Sequence, residues 1–334
     1  MSSEEVMKVF EAYASRPWLK AYDEGVPADV EVPEKPLYWI LEEAAKSYPD
    51  RTAMVFIGRK VTYREFYESA RRFAGYLKRI GIRKGDTVAL FLPNSPQFAI
   101  AYYGALMAGA RVSPMNVLYT ASEIHHQLER SEARVLVAID MFKDKVEAGL
   151  TDAVEKVIWT GIQDYLGAVK GFLYKLKFKP PKIRYDRRNR PFKAIVMGAK
   201  PIDKPVEVDP KEDVAALMFT GGTTGVPKAA MLTHYNILAN VVQIDAVYKR
   251  GVKGRDVMIA ALPWFHIYGQ TAVLHSGIYR AATLIVFPRW DVEAVMRAIE
   301  KYKATLFHGV PLMYQMIINH PKVNKFNLRS LEAC

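Results

Sequence analysis

The sequence predicts an α/β protein carrying two doubly wound, largely parallel sheets. Two observations point there. Short apolar runs of strand length alternate with segments of helical period from residue 52 to 160, and the alternation resumes from 214 to 308. Between the two runs lie a basic segment, 165–193, and a linker marked by Pro201, Pro205 and Pro210. The predicted lobes are therefore 37–197 and 211–334.

The first lobe opens with a helix over 37–50, where Leu37, Ile40, Leu41 and Ala44 recur at helical spacing before Pro49. Thr52 to Ile57 and Val61 to Tyr63 flank Gly58-Arg59-Lys60, a hairpin signal. Phe66, Ala70, Phe73, Ala74 and Leu77 mark a helix that stops at Gly81. A buried strand over 86–92, a helix over 95–107 and a strand over 111–114 follow. Helices near 122–129 and towards Ala148 then alternate with strands at 134–139 and 156–160. In the second lobe, strands are predicted at 214–219, 229–232, 257–262, 282–287 and 304–308. Helices over 234–248, 267–278, 291–302 and 311–319 separate them.

Half of the 334 residues are hydrophobic, as in ordinary globular proteins. The longest apolar run, Phe98 to Ala110, is too short to cross a bilayer. The start, Met1-Ser2-Ser3-Glu4-Glu5, lacks the basic and apolar regions of a signal peptide. Cys334 is the only cysteine, so no internal disulfide can form, and a cytoplasmic location is expected. The net charge of +12 is uneven: residues 165–193 hold ten basic side chains against Asp186, a net +9.

The second lobe contains the most informative stretch, Phe219-Thr220-Gly221-Gly222-Thr223-Thr224-Gly225-Val226-Pro227-Lys228, within a loop over 219–230. It follows a buried strand, and its glycines let the backbone bend where side chains would clash. Backbone N–H groups in such a turn, threonine hydroxyls and one ammonium make a grip for phosphate oxygens. It differs from the G-x-x-x-x-G-K-[ST] loop of triphosphatases, because Pro227 precedes the lysine and Ala229-Ala230-Met231-Leu232 continues as a strand. A Gly/Thr-rich hairpin without a ligand is the plainer alternative.

Thr220 to Lys228, with Met231-Leu232-Thr233-His234, resembles the signature of the acyl-adenylate-forming (AMP-binding) superfamily. The Thr-Gly-Gly variant is similar to its long-chain fatty acyl-CoA synthetase branch. Ala229 departs from the glycine usual after the lysine. Val61-Thr62-Tyr63, the segment Gly81 to Ala89, Leu92-Pro93-Asn94 and Gly109 to Pro114 also resemble the family's amino-terminal domain, mostly as scaffold.

The resemblance implies ATP- and Mg²⁺-dependent conversion of a fatty acid to acyl-AMP, then transfer to coenzyme A. Thr220, Gly221, Gly222, Thr223, Thr224, Gly225 and Lys228 would hold the phosphates, with Lys228 acting on the reaction and Thr224 meeting the metal. An aryl or short-chain acid is the alternative substrate, and a non-catalytic nucleotide- or lipid-binding module the alternative of another class. A homodimer is admitted, although no residue pattern specifies it. The chain is read as an incomplete amino-terminal domain, 1–334, stopping before the family's adenine, ribose and magnesium motifs and its small carboxy-terminal domain. These residues alone are expected to be inactive.

Leu262-Pro263-Trp264-Phe265-His266-Ile267-Tyr268-Gly269 follows a predicted strand, where α/β sheets gather ligands. A histidine among aromatics is as readily a core residue as a functional one. The likeness to the family's aromatic-His motif implies that His266 is a carboxylate-side or gating residue, with Trp264 and Tyr268 as walls. His308-Gly309-Val310-Pro311 resembles a segment beside the acyl pocket, placing Gly309 and Val310 at the substrate; a strand-to-helix turn is the plainer account. His125 and His126 diverge on a predicted helix, and no zinc spacing occurs.

Within 165–193, Tyr165, Leu166, Val169, Phe172, Leu173 and Leu176 fall at helical spacing among lysines. This is the pattern of an interfacial helix at an anionic membrane, although a surface helix packed by its apolar stripe is the favoured reading. No nucleic-acid-reading motif accompanies the charge.

Overall fold

The computed structural model describes residues 2–220, 227–248 and 251–334. The strands are β1 (Thr52–Phe56), β2 (Arg59–Thr62), β3 (Thr87–Phe91), β4 (Arg111–Pro114), β5 (Ala133–Ile139) and β6 (Lys156–Thr160), followed by β7 (Asn189–Pro191), β8 (Val214–Thr220), β9 (Lys228–Thr233), β10 (Val257–Ala260), β11 (Thr283–Val286) and β12 (Leu306–Phe307). They form two sheets. One runs β7-β6-β5-β3-β4-β8-β9 and the other β12-β10-β11-β1-β2. Among the described residues, every strand pairing is parallel except β8 with β9 and β1 with β2, as expected for crossovers through helices.

Two sheets are present, but they do not follow the division of the chain at the linker. The β1–β2 hairpin joins β10, β11 and β12 of the second lobe, while β8 and β9 extend the sheet begun by β3 to β7. One buried cluster includes Met54, Val88, Met258 and Leu284, so strands from both predicted lobes share an interior. Alternation counts elements but does not say which sheet takes each strand. The linker lies against helices: Ile202 N donates to Arg71 O and Val206 N to Met107 O.

The hairpin turn is tighter than predicted, with Phe56 paired to Arg59 across Ile57 and Gly58. Both turn residues have positive φ, 49° and 88°, as a two-residue hairpin requires. Glycine accepts this freely, whereas β-branched Ile57 does so at a cost.

The helix Pro96–Met107 is buried along its whole length. Ser95 caps it by accepting from Phe98 N. Its ring face meets a π-helical segment, Gly269–His275, where the sequence predicts an ordinary helix over 267–278. Tyr102 OH donates to Gln270 Oε1 (3.0 Å), and the Tyr103 hydroxyl lies 2.8 Å from His275 Nδ1. Burial pushes the His275 imidazole down to about 3, so it sits neutral in the core.

The basic segment contributes more structure than its charge suggests. Tyr165 and Leu166 are core residues, β7 forms the sheet edge, and the helix Phe192–Gly198 buries Phe192, Ile195 and Val196. The intervening helix, Ala168–Phe178, does not pack by its apolar stripe as favoured above: Val169, Phe172, Leu173 and Leu176 all face solvent. Among the described residues, no helix is long and apolar enough to cross a membrane.

Candidate active site at the carboxyl ends of the strands

In doubly wound sheets, ligands collect beyond the carboxyl ends of strands, where the strand order reverses. Here β4 lies on one side of β3 and β5 on the other, so a crevice opens at that edge. A cavity of about 420 Å³ lies beside it, beyond the ends of β4 and β8. Pro114 and Asn116 after β4, Phe219 and Thr220 at the end of β8, and Phe265, His266 and Ile267 after β10 line it. Both sheets therefore contribute to one cavity, apolar along most of its wall.

Thr220 and Lys228 are opposite partners in the β8–β9 ladder, so their side chains project from the same face. Thr220 Oγ1 also donates weakly to Lys228 O, at 3.4 Å. Both side chains are exposed. The pairing brings together the two ends of the predicted phosphate loop. Gly221, Gly222, Thr223, Thr224 and Gly225 lie outside the described residues.

His266 is exposed at the cavity. Its backbone is held at both ends, N–H to Pro263 O (3.1 Å) and C=O from Gln270 N (2.9 Å). Its Nδ1 accepts from Tyr268 N at 3.2 Å. In the neutral ring that leaves the proton on Nε2, a donor for an anionic guest.

The loop carrying His266 is pinned by a residue assigned above only to scaffold. Asn94, buried at the end of β3, donates to Ala260 O (3.3 Å) and Leu262 O (2.8 Å) and accepts from Trp264 N (2.7 Å). One side amide from the first sheet thus fixes the loop leaving the second. Gln270 Nε2 holds the other side of the Trp264 peptide, donating to its carbonyl at 3.2 Å. The Leu92-Pro93-Asn94 segment was visible in sequence, but its partners lie about 170 residues away, beyond any local pattern.

The other four residues expected at the substrate, Trp264, Tyr268, Gly309 and Val310, are not among those lining this cavity. Trp264 is fully buried against Phe98, ring centroids 5.8 Å apart, and does not line the cavity. Tyr268 is exposed, its hydroxyl 3.5 Å from Gly309 O, tying the His loop to the 308–311 turn. At Gly309 a side chain would meet the Tyr314 ring, 2.9 Å from an added Cβ, so its missing side chain makes room for Tyr314. Val310 is exposed and precedes the helix Pro311–Ile318, the strand-to-helix turn weighed above. His234, part of the signature, is interior: its Nδ1 accepts from Leu37 N at 3.0 Å, and burial pushes it down to about 4. His125 and His126 join no cluster of three His, Cys, Asp or Glu able to hold a metal among the described residues.

A hydroxyl and an ammonium face each other across β8 and β9, and an imidazole shares an apolar cavity with that hydroxyl, so the α/β fold gathers donors suited to an anionic guest at one end of its strands. Residues 41–334 match the AMP-binding enzyme family, and the chain belongs to that family. It is 36% identical over 327 residues to the long-chain-fatty-acid--CoA ligase of Bacillus subtilis (strain 168), covering 96% of this chain and 58% of that relative. A long-chain-fatty-acid-CoA ligase (FadD1) from Archaeoglobus fulgidus superposes with a TM-score of 0.75 at 25% identity, covering 93% of this chain and 59% of that one. The inhibitor-bound N-terminal domain of FACL13 from Mycobacterium tuberculosis gives 0.73 at 25% identity, covering 89% and 68%. The chain thus spans about 58% of the length of curated relatives such as the Bacillus subtilis ligase.

Proposed function

We propose that the chain is the nucleotide- and acid-binding part of a fatty acyl-CoA ligase acting on long-chain acids. The cavity carries this reading, because it brings the Thr220 hydroxyl and the His266 imidazole to one apolar crevice. The similarity to long-chain ligases supports the substrate class.

A carboxylate resists attack by a thiol, because it is negatively charged and would expel oxide. The proposed route first joins a carboxylate oxygen to the α-phosphorus of ATP, breaking its bond to the bridging oxygen and releasing pyrophosphate. The coenzyme A thiolate then bonds to the acyl carbon and AMP leaves with the electron pair. Hydroxyl and ammonium donors suit an anionic guest, so Thr220 and Lys228 would hold the β- and γ-phosphates together with Gly221, Gly222, Thr223, Thr224 and Gly225. Mg²⁺ would supply charge neutralisation, met by the Thr224 hydroxyl and the nucleotide's own phosphates. His266 Nε2–H would orient the carboxylate and offset its repulsion from the triphosphate.

The test is thioester formation by the full-length enzyme with octanoate, laurate, palmitate and 4-coumarate. Highest turnover with palmitate is expected; preference for 4-coumarate would move the assignment to an aryl substrate. Nucleotide binding with no thioester from any acid would favour a non-catalytic module. The 334 residues alone are proposed to form no acyl-CoA, since the relatives are much longer.

A further inference from the structure

The helix Ala168–Phe178 inverts the usual arrangement of a surface helix. Towards the protein it presents Gly171 and the half-buried Tyr174. Lys170 Nζ donates to Ile57 O at 3.2 Å, fixing its first turn to the β1–β2 hairpin. Outward stand Val169, Phe172, Leu173 and Leu176, exposed by 74, 63, 57 and 58%. At about 100° per residue these four share an arc about 100° wide, with Lys175 beyond one edge and Lys177 beyond the other.

An apolar arc bordered by cations suits an interface that is hydrocarbon in the middle and anionic at its margins. The surrounding charge agrees: residues 165–193 carry a net +9. Among the described residues none of those ten cations is paired in a salt bridge; ion pairs form elsewhere, as at Arg134–Glu155 and Lys143–Glu147. We propose that this helix lies in the headgroup layer of an anionic phospholipid membrane, its four apolar side chains inserted and Lys175, Lys177 and the following Lys179 at the lipid phosphates. A contrast exists on the same chain. The helix Ser3–Ala14 also exposes Val6, Phe10 and Tyr13, but it carries Glu5 and Glu11 and no basic residue in its last turn.

Vesicle flotation of the full-length protein tests this without turnover, so its failure would leave the ligase reading untouched. Binding is expected to phosphatidylcholine mixed with phosphatidylglycerol, and not to phosphatidylcholine alone. Each cation at such a surface raises affinity about fivefold, so joint Lys175→Gln, Lys177→Gln and Lys179→Gln should weaken binding about 100-fold. Phe172→Glu with Leu176→Glu should abolish it, with an unchanged melting temperature, while Phe10→Glu should have no effect. Equal binding to neutral vesicles, no binding to either, or indifference to the glutamates would overturn the proposal. So would dissociation of a dimer by the glutamates in light scattering, which would give the face to a second copy of the chain.

Discussion

Two helices dominated by apolar side chains meet opposite fates in this molecule. All of Pro96–Met107 is buried, whereas Ala168–Phe178 turns its largest apolar side chains to solvent. The first carries no charge and has packed elements around it, including the π-helical segment paired to its tyrosines. The second is broken at every turn by lysine, and among its described residues Gly171 and Tyr174 turn inward while Lys170 reaches Ile57 O. Apolar content says that surface should leave water; the charges beside it decide what can cover that surface.

Truncation at matched rings sharpens the contrast most. Phe98→Ala, removing a fully buried ring packed on Trp264, should cost about 3–5 kcal/mol in denaturant unfolding. Phe172→Ala on the outward helix should stay within about 0.5 kcal/mol. Equal costs at the two sites would break the comparison.

Acid should strike the buried side next. His275 and His234 are held neutral, at about 3 and about 4 against an ordinary 6.5. Below 6.5 the unfolded chain takes up protons that the fold refuses, so stability is intact above that pH and lost as pH falls towards 4. At pH 4.5 each histidine should cost about 2–3 kcal/mol, and His275→Gln should flatten the pH dependence of the melting temperature. An unchanged profile would contradict the buried neutral ring.

Opposite Thr220 on β9, Lys228→Ala should slow acid-dependent pyrophosphate exchange roughly 10- to 100-fold, the scale of one charge-assisted contact. Near-native exchange would remove Lys228 from the phosphate grip. Asn94→Ala should cost about 1–3 kcal/mol by leaving the Trp264 N–H unpaired. Because Asn94 positions the His266 loop, it should also raise KM for the acid more than for ATP, a split that general loosening would not produce.

Much of this was legible in sequence where the signal is local. Period and punctuation placed β3 to β6 and the helices Trp39–Ser47 and Pro311–Ile318 within a few residues. The edge strand β7 was missed, because Asn189-Arg190-Pro191 has neither alternation nor β-branched residues. The mixing of the lobes was missed for another reason: pairing β1 with β11 joins residues about 230 apart, and no turn records it. At the site, local chemistry flagged Thr220, Lys228 and His266. It could not show that Trp264 points into the core, or that the room at Gly309 belongs to Tyr314. Those are packing outcomes, set by side chains brought in from elsewhere in the fold.

The central claim is met most directly by ATP–pyrophosphate exchange in the full-length enzyme, with and without palmitate. Exchange that requires the fatty acid and is lost with Lys228→Ala is the predicted result. Exchange indifferent to any fatty acid, or intact in the lysine variant, would contradict the assignment of this cavity to carboxylate activation.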